Sequence, residues 1–493
     1  MTYDAAMKKS QADQPLASPV SFHAGSNGEL APPPVTEADL RADAQYRRLV
    51  DENARRLGIS RRDFVTSACG TAAALLVINQ TYGCGSKGGG YAVDPGTTLD
   101  GAAACARLGG SEFIFDVHTH HVALDRPWEA ENFLGGAMRR DPQGGCGAAD
   151  RLACWSAEHY IRELFVKSQT SVACLTLFPG LTVAARPLFD QEAAATRELV
   201  DRLARSPRLV IHGMVSPELG AGQLDDMQRM KEQSNVVGWK VYPQYGGWRL
   251  DDPKIGVPFL ERARQLGVRL ICAHKGISFP DVVGARTFGS PVDFGPAAAA
   301  FPDLQFLAYH SGWEPDVAEG PYSPDGGGVD RLIRSVLDAK LPPGKNVYAD
   351  LGTTWRLLMT RPVDAAHVLG KLLRYLGPDN VLWGTDSLWH GTPQAQIEAF
   401  RAFEIPRELQ DKHGYPALTR ELKAKILGLN GARVYGIDPA VARCAITEDA
   451  LAKQKAEHDA APEQRTGPSG PRTRREFAAL IRREIAMRKG MLR

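Results

Sequence analysis

A pair of histidines closes the first strand-like run of the chain, in the segment Phe115-Asp-Val-His-Thr-His-His121. Side chains alternate between the two faces of a strand, so His118 and His120 point the same way and His121 points the other way. Two imidazoles that converge on one point can bind a divalent metal ion. The pair alone is a weak signal, because strand histidines more often pack and hydrogen-bond than bind metal. A metal site therefore needs further ligands elsewhere in the chain.

Three later apolar runs also end in side chains that can bind metal or move a proton. They end at His274, at His310 and at Asp386. If these runs are strands of one parallel barrel, their carboxyl ends open onto one face, where such barrels carry their active sites. Imidazoles with a carboxylate suit Zn²⁺, and also Mn²⁺, Fe²⁺ or Co²⁺. A purely structural explanation would have to satisfy several buried polar groups, each costing about 1–3 kcal/mol if unpaired.

Eight apolar, β-rich runs separated by helix-length amphipathic segments must position these side chains. The runs are residues 113–122, 170–178, 209–215, 236–242, 268–274, 304–310, 346–351 and 381–386. Strands that alternate with helices imply right-handed crossovers and a parallel sheet, so the pattern predicts an α/β fold, a (β/α)8 TIM barrel. An open doubly wound sheet is the alternative. It is disfavoured because no Gly-rich phosphate loop follows the first run.

The predicted barrel occupies residues 111–438 and is flanked by segments of different composition. Residues 1–110 are rich in Gly, Ala, Pro and charge, with one predicted helix over 36–58, so we expect an irregular N-terminal extension that leads into the core. Residues 439–493 are expected to form a charged helical tail. In this tail Thr473 and Glu476 have the spacing of a capping box.

Residues 60–83 resemble a twin-arginine export signal, because Ser60-Arg-Arg-Asp-Phe-Val65 precedes a short apolar run that reaches Ile78. This resemblance predicts a periplasmic or exported protein. A cytoplasmic protein is the alternative, since Ser60 with Asp63 also makes an ordinary helix cap. The apolar run is too short to span a bilayer as a stable helix.

The net charge restricts the kinds of partner. The 59 basic and 57 acidic side chains leave a formal charge of +2 at pH 7. So small a net charge provides no overall field to attract nucleic acid or a membrane surface. We therefore expect a small-molecule substrate, no nucleic-acid partner and no stable membrane span. The sequence is compatible with a homodimer.

The ordered set of motifs resembles the amidohydrolase superfamily, and within it the amidohydrolase-related group that includes aminocarboxymuconate semialdehyde and resorcylate decarboxylases. The matching segments are Asp116-Val-His-Thr-His120, Gly238-Trp-Lys240, His274, His310-Ser-Gly-Trp313, Gly384-Thr-Asp386 and the closing segment 425–437. The resemblance implies four ligands for one divalent ion, expected to be Zn²⁺: His118, His120, His274 and Asp386. It also implies catalytic roles for His310 and Asp386.

The resemblance leaves the role of Lys240 open. In other branches of the superfamily a strand-four lysine is carboxylated and bridges two metals, and His274 and His310 then bind the second ion. We favour one metal, with Lys240 either binding a substrate anion or serving as a paired structural lysine. Tyr242 shares a face with Lys240 and Trp313 follows His310, so both are predicted to bind substrate, with packing at the barrel mouth as the alternative.

These expectations favour a metal-dependent hydrolase that attacks a small amide, ester or lactone through a metal-activated water. Non-oxidative decarboxylation of a small carboxylic acid is the alternative chemistry on the same site, and an aromatic acid is one such substrate. A metal-independent lactonase and a catalytically silent barrel that acts as a binding protein are further alternatives. Retention of His310 and all four expected ligands argues against the silent barrel, because losing any one would inactivate the site.

Overall fold

An eight-stranded parallel sheet with its strands in chain order forms the centre of the molecule. The computed structural model describes residues 18–23, 25–26, 30–83, 89–128, 132, 151–180, 182–279, 282–442, 449–463, 471, 473–479 and 482. The strands are β1 Phe115–Thr119, β2 Val172–Leu175, β3 Leu209–Met214, β4 Gly238–Val241, β5 Leu270–His274, β6 Gln305–Tyr309, β7 Val347–Asp350 and β8 Val381–Leu382. Each predicted run contains one strand, so the predicted TIM barrel is confirmed.

Backbone hydrogen bonds between β1 and the segment at and beyond β8 close the barrel. The amide of Val117 donates to the carbonyl of Trp383 at 3.0 Å, and the amide of Asp386 donates to the carbonyl of His118 at 2.8 Å. Closure leaves no free edge strand, and it places the end of β8 directly beside the histidine strand β1.

The helices alternate with the strands and surround them. They are α1 Glu37–Leu57, α2 Arg61–Thr66, α3 Ala68–Tyr82, α4 Gly101–Leu108, α5 Ala157–Ile161, α6 Asp190–Ala204, α7 Gly222–Ser234, α8 Pro243–Gly246, α9 Gly256–Leu266, α10 Ala285–Phe288, α11 Phe294–Ala300, α12 Asp330–Asp338, α13 Thr354–Leu358, α14 Pro362–Tyr375, α15 Gln394–Ala402, α16 Arg407–His413, α17 Arg420–Ala424, α18 Asn430–Tyr435, α19 Pro439–Ala442 and α20 Ala450–Ala460. π-Helical turns, Arg162–Val166 and Lys425–Leu429, follow α5 and α17.

Helix α9 shows why these segments fold as they do. It buries Phe259, Ala263 and Leu266, which recur at helical spacing and face the sheet. The helix ends at Gly267, whose φ of 72° is the left-handed conformation that glycine adopts without a side-chain penalty. The chain can then turn directly into β5.

The N-terminal region has more structure than the sequence predicted. In place of one helix and an irregular lead-in, it contains α1 to α4 and a short strand, Gly90–Tyr91, that pairs antiparallel with Phe403–Glu404 after α15. In α3, residues 69–78 are all buried, because the helix is apolar all round and is covered on every side. Gly70 permits this packing, since a Cβ there would lie 2.3 Å from the carbonyl oxygen of Phe64.

The twin-arginine-like segment forms α2 and α3 in this structure, and Arg61 makes an ion pair with Asp51 at 2.8 Å. Among the described residues, no helix combines the length and the apolar character needed to cross a membrane. Neither observation tests where the protein resides, so export stays a prediction.

In the C-terminal tail, α20 lies against the barrel, where Lys455 Nζ donates to the carbonyl of Val166 at 3.4 Å. Farther on, the amide of Thr473 donates to the Glu476 carboxylate at 3.0 Å, and the Glu476 amide donates to Thr473 Oγ1 at 3.1 Å. The capping box is therefore present, and residues 474–479 are helical. The rest of the predicted tail, residues 443–448, 464–470, 472, 480–481 and 483–493, lies outside the described residues.

Candidate metal centre

The five side chains singled out at strand ends all lie buried at the carboxyl end of the barrel. These are His118 in β1, His120 just after it, His274 at the end of β5, His310 directly after β6, and Asp386 four residues beyond β8. None is more than 2% exposed, so each must be satisfied by a neighbour or a bound group. His121 points the other way, as alternation predicts, with its Nε2 3.0 Å from Thr196 Oγ1.

His118, His120 and Asp386 form the tightest part of the cluster. Asp386 Oδ1 lies 3.2 Å from Nε2 of each histidine. The ligand atoms of these three residues lie within 4.8 Å of one another. Among the described residues, no well-directed hydrogen bond satisfies Oδ1. A buried carboxylate oxygen that faces two imidazole nitrogens without a hydrogen bond fits a cation held between them.

Asp350, at the end of β7, is a site residue that the sequence did not reveal. Its Oδ2 lies 2.8 Å from Nδ1 of His118, and its carboxylate also accepts from the amides of Gly352 at 3.0 Å and His310 at 3.3 Å. Because the carboxylate oxygen Oδ2 accepts a hydrogen bond, the ring proton of His118 lies on Nδ1. The lone pair of His118 Nε2 then faces Asp386. Its position at a strand end was the signal that could have identified it.

His274 reaches the cluster through His310. Their Nε2 atoms are 3.1 Å apart, whereas Nδ1 of His310 donates to the carbonyl of Gly352 at 2.8 Å. Nδ1 of His274 lies 2.6 Å from the amide of Gln244. The facing atom is the amide nitrogen of Gln244, and its donation to Nδ1 leaves the ring proton of His274 on Nε2. If the amide is turned over, its oxygen, which has no other partner among the described residues, accepts the Nδ1 proton, and the Nε2 lone pair of His274 can then bind an ion.

A short hydrogen-bonded chain holds the other oxygen of Asp386. Thr353 Oγ1 donates to Asp386 Oδ2, and Nε2 of His390 lies 2.9 Å from the same hydroxyl. Because the single hydroxyl proton of Thr353 points to Asp386, His390 must donate to Thr353. Both residues escaped the sequence analysis as functional residues, because neither lies within a strand.

Left-handed backbone conformations cluster around these side chains. The φ angles are 63° at His310, 57° at Ser311, 54° at Thr353 and 61° at Asp386. Each costs a non-glycine residue free energy, on the order of 1–3 kcal/mol, and persists only where the surroundings enforce it. These conformations direct the side chains of His310 and Asp386 into the mouth of the barrel. In a regular strand, alternate side chains would point away from the mouth.

Burial controls the ionisation of the cluster. It holds the pKa of His118 and of His274 well below the usual value, and the positive charge of Lys240 lowers the pKa of both further. Neutral imidazole is the form that binds metal. Burial also raises the pKa of Asp350 to about 7. At Asp386 burial acts in the raising direction, but His118 and His120 outweigh it and keep its pKa well below the usual value.

The predicted substrate-binding residues lie in different places. Lys240 is fully buried, with Nζ 3.3 Å from the ring centre of Tyr309 and 4.9 Å from that of Tyr242. Tyr242 in turn lies 5.0 Å from the His274 ring. Lys240 and Tyr242 therefore lie beside the cluster, and their substrate-binding role stays a prediction. The guanidinium of Arg361 lies over the ring of Trp313, 5.5 Å from the ring centre. A substrate-binding role for Trp313 is therefore supported only by its position after His310.

Aromatic rings line the mouth around the cluster. Trp389 stacks on His120 with ring centres 5.1 Å apart and an interplanar angle of 18°. Phe178 lies 6.5 Å from the His120 ring and 5.2 Å from the Tyr242 ring, and Phe279 lies 5.2 Å from the His274 ring. Neither Phe178 nor Phe279 was identified from the sequence. Phe178 ends the second apolar run, where an aromatic side chain indicates packing as readily as binding, and Phe279 lies in a loop without a pattern. The mouth thus offers flat apolar surfaces beside polar ligands.

The Asp350 contact leads to a testable expectation. Asp350→Asn removes the carboxylate that orients His118, and we expect metal affinity to fall about 10- to 100-fold while the fold is retained. Competition with a chromogenic chelator measures the affinity, and circular dichroism checks the fold. Asp364→Asn, which alters a half-buried carboxylate paired with Arg361, is the control. Unchanged affinity in Asp350→Asn would remove Asp350 from the site.

Comparison with known structures finds chains of similar fold. 5-Carboxyvanillate decarboxylase from Sphingomonas paucimobilis is 13% identical, covering 66% of this chain and 100% of its own, with a TM-score of 0.42. 2,6-Dihydroxybenzoate decarboxylase from Rhizobium is 14% identical over 66% and 99%, with a TM-score of 0.39. Amidohydrolase 2 from Bifidobacterium longum subsp. infantis is 16% identical over 66% and 100%, with a TM-score of 0.33. Likeness at this level assigns no activity.

No curated protein matches the chain. A family model described as amidohydrolase matches residues 115–437, a segment that runs from the first barrel strand to the end of the predicted closing segment. The match covers well over half of the 493 residues and includes every residue of the cluster. The chain therefore belongs to the amidohydrolase family.

Proposed function

We propose that the protein is a metal-dependent decarboxylase that removes the carboxyl group of a small aromatic acid as CO2 without an oxidant. The observation that carries the proposal is the set of flat aromatic walls, Phe178, Tyr242, Phe279 and Trp389, around a buried polar cluster. The sequence favoured hydrolysis. An aromatic slot with a buried cation at Lys240 instead suits a planar, anionic ring.

The residues at the cluster fit a divalent ion. His118, His120, His274 and Asp386 would hold it, with three imidazoles and one carboxylate that suit Zn²⁺ or Mn²⁺. When bound, the ion supplies Lewis-acid polarisation of the acid and an adjacent hydroxyl or carbonyl oxygen.

The surrounding side chains provide orientation and exclude water. Stacking on Trp389 and contact with Phe178 hold the ring in one plane, and Lys240 offers positive charge to a substrate anion. An apolar enclosure favours loss of CO2, because the reaction replaces a charged carboxylate with a neutral gas. The walls therefore promote the reaction as well as binding.

Proton delivery is the remaining requirement. As the carbon–carbon bond breaks, its electron pair stays on the ring carbon, which must take one proton. The hydrogen bonds from His390 to Thr353 and from Thr353 to Asp386 form a path along which a proton can reach the mouth of the barrel. His310 presents Nε2, because Nδ1 is fixed on the Gly352 carbonyl, and it can take a proton from a substrate hydroxyl.

Hydrolysis of an amide, ester or lactone is the second candidate. The observation in its favour is Asp386 Oδ1, which faces both β1 histidines and could accept a proton from an attacking water. This position is equally suited to either reaction. Aromatic walls together with the buried Lys240 favour a planar anion over a neutral amide, ester or lactone, so decarboxylation is preferred.

Isotope tracing separates the two reactions. Metal-loaded protein is incubated with hydroxybenzoates, lactones and N-acyl compounds, in D2O or in H2¹⁸O. We expect CO2 release from a hydroxybenzoate and one deuterium at the carbon that lost the carboxyl group. Incorporation of ¹⁸O from water into the product of a lactone or amide, without CO2, would replace the proposal with hydrolysis. No turnover of any compound with metal bound would favour the silent binding protein.

A further inference from the structure

A chain of hydrogen bonds runs through the interior of the barrel and reaches the strand β1. It joins Tyr435 at the end of α18, His212 in β3 and Tyr309 in β6. The hydroxyl of Tyr435 lies 3.1 Å from Nε2 of His212, and Nδ1 of His212 lies 3.2 Å from the hydroxyl of Tyr309. The Tyr309 hydroxyl donates to the carbonyl of Val117 at 2.7 Å. The chain thus connects α18 with the strand that carries His118.

The directions of these hydrogen bonds follow from the number of protons. Because the single hydroxyl proton of Tyr309 goes to the Val117 carbonyl, Tyr309 must accept a hydrogen bond from Nδ1 of His212. Burial lowers the pKa of His212 to about 3, so its ring is neutral and Nε2 is an acceptor. Tyr435 therefore donates to Nε2, and the thiol of Cys272, 3.8 Å away, is a second and weaker donor. One tautomer of His212 thus satisfies the whole chain.

The barrel holds the central ring of this chain tightly. His212 and Tyr309 are fully buried, and the Tyr435 ring stacks on His212 with ring centres 5.6 Å apart and an interplanar angle of 17°. Gly238 in β4 leaves room for the imidazole, because a Cβ there would lie 2.9 Å from Cδ2 of His212. In a close-packed interior the ring can shift little, so its hydrogen bonds keep one geometry.

Tyr309 connects this fixed geometry to the candidate site. The centre of its ring lies 4.0 Å from that of His118, and Nζ of Lys240 lies 3.3 Å from the same centre. An ammonium is attracted to a ring face, so a shift of the Tyr309 ring would also move Lys240. One aromatic ring therefore contacts both a proposed metal ligand and the proposed binding group for the substrate anion.

We propose that Tyr435, His212 and Tyr309 form a positioning chain for the metal cluster. The chain holds the Tyr309 ring in place and, through that ring, His118 and Lys240. The inference rests on the proposed function for the roles of His118 and Lys240, but it does not depend on which reaction the site carries out. None of the three residues in the chain exchanges a proton with the substrate.

The first test uses metal-free protein labelled with ¹⁵N in histidine, so it requires neither bound metal nor turnover. Tyr435→Phe removes the donor to Nε2 of His212 and keeps the aromatic ring. Nuclear magnetic resonance detects the ring nitrogens of His212 and His118, which are assigned with His212→Gln and His118→Gln. We expect the Nδ1–H tautomer of His212 in the unmodified protein, and shifted signals of both histidines in Tyr435→Phe. The opposite tautomer, or an unshifted His118, would overturn the proposal.

Tyr160→Phe is the matched control. Tyr160 is also fully buried, and its hydroxyl lies 2.7 Å from Oγ1 of Thr119, which points to the face of β1 opposite to His118. Its loss should lower the unfolding temperature about as much as Tyr435→Phe does, because each variant removes one buried hydrogen bond. The signals of His118 should not move. Equal shifts of His118 in the two variants would indicate ordinary packing and overturn the proposal.

Metal affinity provides a second measurement, by competition with a chromogenic chelator for Zn²⁺. Tyr435→Phe and Tyr309→Phe should each weaken binding about 2- to 10-fold. The double variant should lose no more than the weaker-binding single variant, because both changes break the same chain. Unchanged affinity or additive losses would contradict the proposal. If the His118 signals shift as expected but the unmodified protein binds no metal, the positioning chain stands and the proposed function fails.

Discussion

Replacing Asp386 with alanine is expected to remove most of the bound metal and to lower turnover by at least about 1000-fold, because it deletes both a proposed ligand and a proposed proton carrier. Asp386 Oδ1 is the atom shared by the contacts to His118 and His120, each 3.2 Å long. Without it, three imidazoles of the proposed ligand set remain, and no carboxylate offsets the charge of a divalent ion. Metal analysis by plasma mass spectrometry and CO2 release measure the two effects.

The control for this experiment is Asp316→Ala. Asp316 is an exposed carboxylate that pairs with Arg286 at 2.8 Å, seven residues beyond the end of β6. It should keep about one metal equivalent per chain and unchanged turnover. Near-normal activity of a metal-free Asp386→Ala protein would contradict the mechanism, and full metal content with lost activity would restrict Asp386 to proton transfer.

Replacing His310 with alanine should leave metal content near one equivalent while turnover falls about 100- to 10,000-fold. His310 touches the cluster through His274, with Nε2 atoms 3.1 Å apart, and its other nitrogen is fixed by the Gly352 carbonyl. It is therefore placed to exchange a proton with the substrate and is not required to hold the ion. Metal analysis and turnover are measured on the same sample.

The same variant discriminates between one and two metals. In the two-metal alternative, His274 and His310 bind a second ion bridged by carboxylated Lys240, and His310→Ala would reduce two equivalents to one. The position of Lys240 Nζ over the Tyr309 ring supports the single-metal proposal, because an ammonium is attracted to a ring face and a carbamate is not. The control is His413→Ala, which changes a histidine at the end of α16 whose ring centre lies 5.3 Å from that of Tyr415, and it should change neither quantity.

The sequence could predict the barrel because the signals for it are local. Eight apolar runs separated by amphipathic helices specify strands and crossovers without knowledge of any contact, and strand alternation alone separates His118 and His120 from His121. Residues at the ends of strands, such as His274 and Asp386, then meet because parallel strands of a closed barrel end on one face. Topology thus brought together residues that are far apart in the chain.

The N-terminal region was harder to predict for a physical reason. Helix α3 has small residues on every side, so it carries no amphipathic stripe, and its burial depends on surfaces supplied by α1 and the barrel helices. A moderately apolar stretch of this kind has the same composition whether it is exported, exposed or buried. Tertiary packing alone makes it part of the core in this structure.

The fold class and the side chains at the strand ends could be predicted from the sequence, because periodicity and run ends are properties of neighbouring residues. The contact of Asp350 with His118, the link from Asp386 through Thr353 to His390, and the positions of Phe178 and Phe279 at the mouth became visible only in the folded structure. These features depend on distances between residues separated by tens to hundreds of positions, and no local pattern encodes such distances.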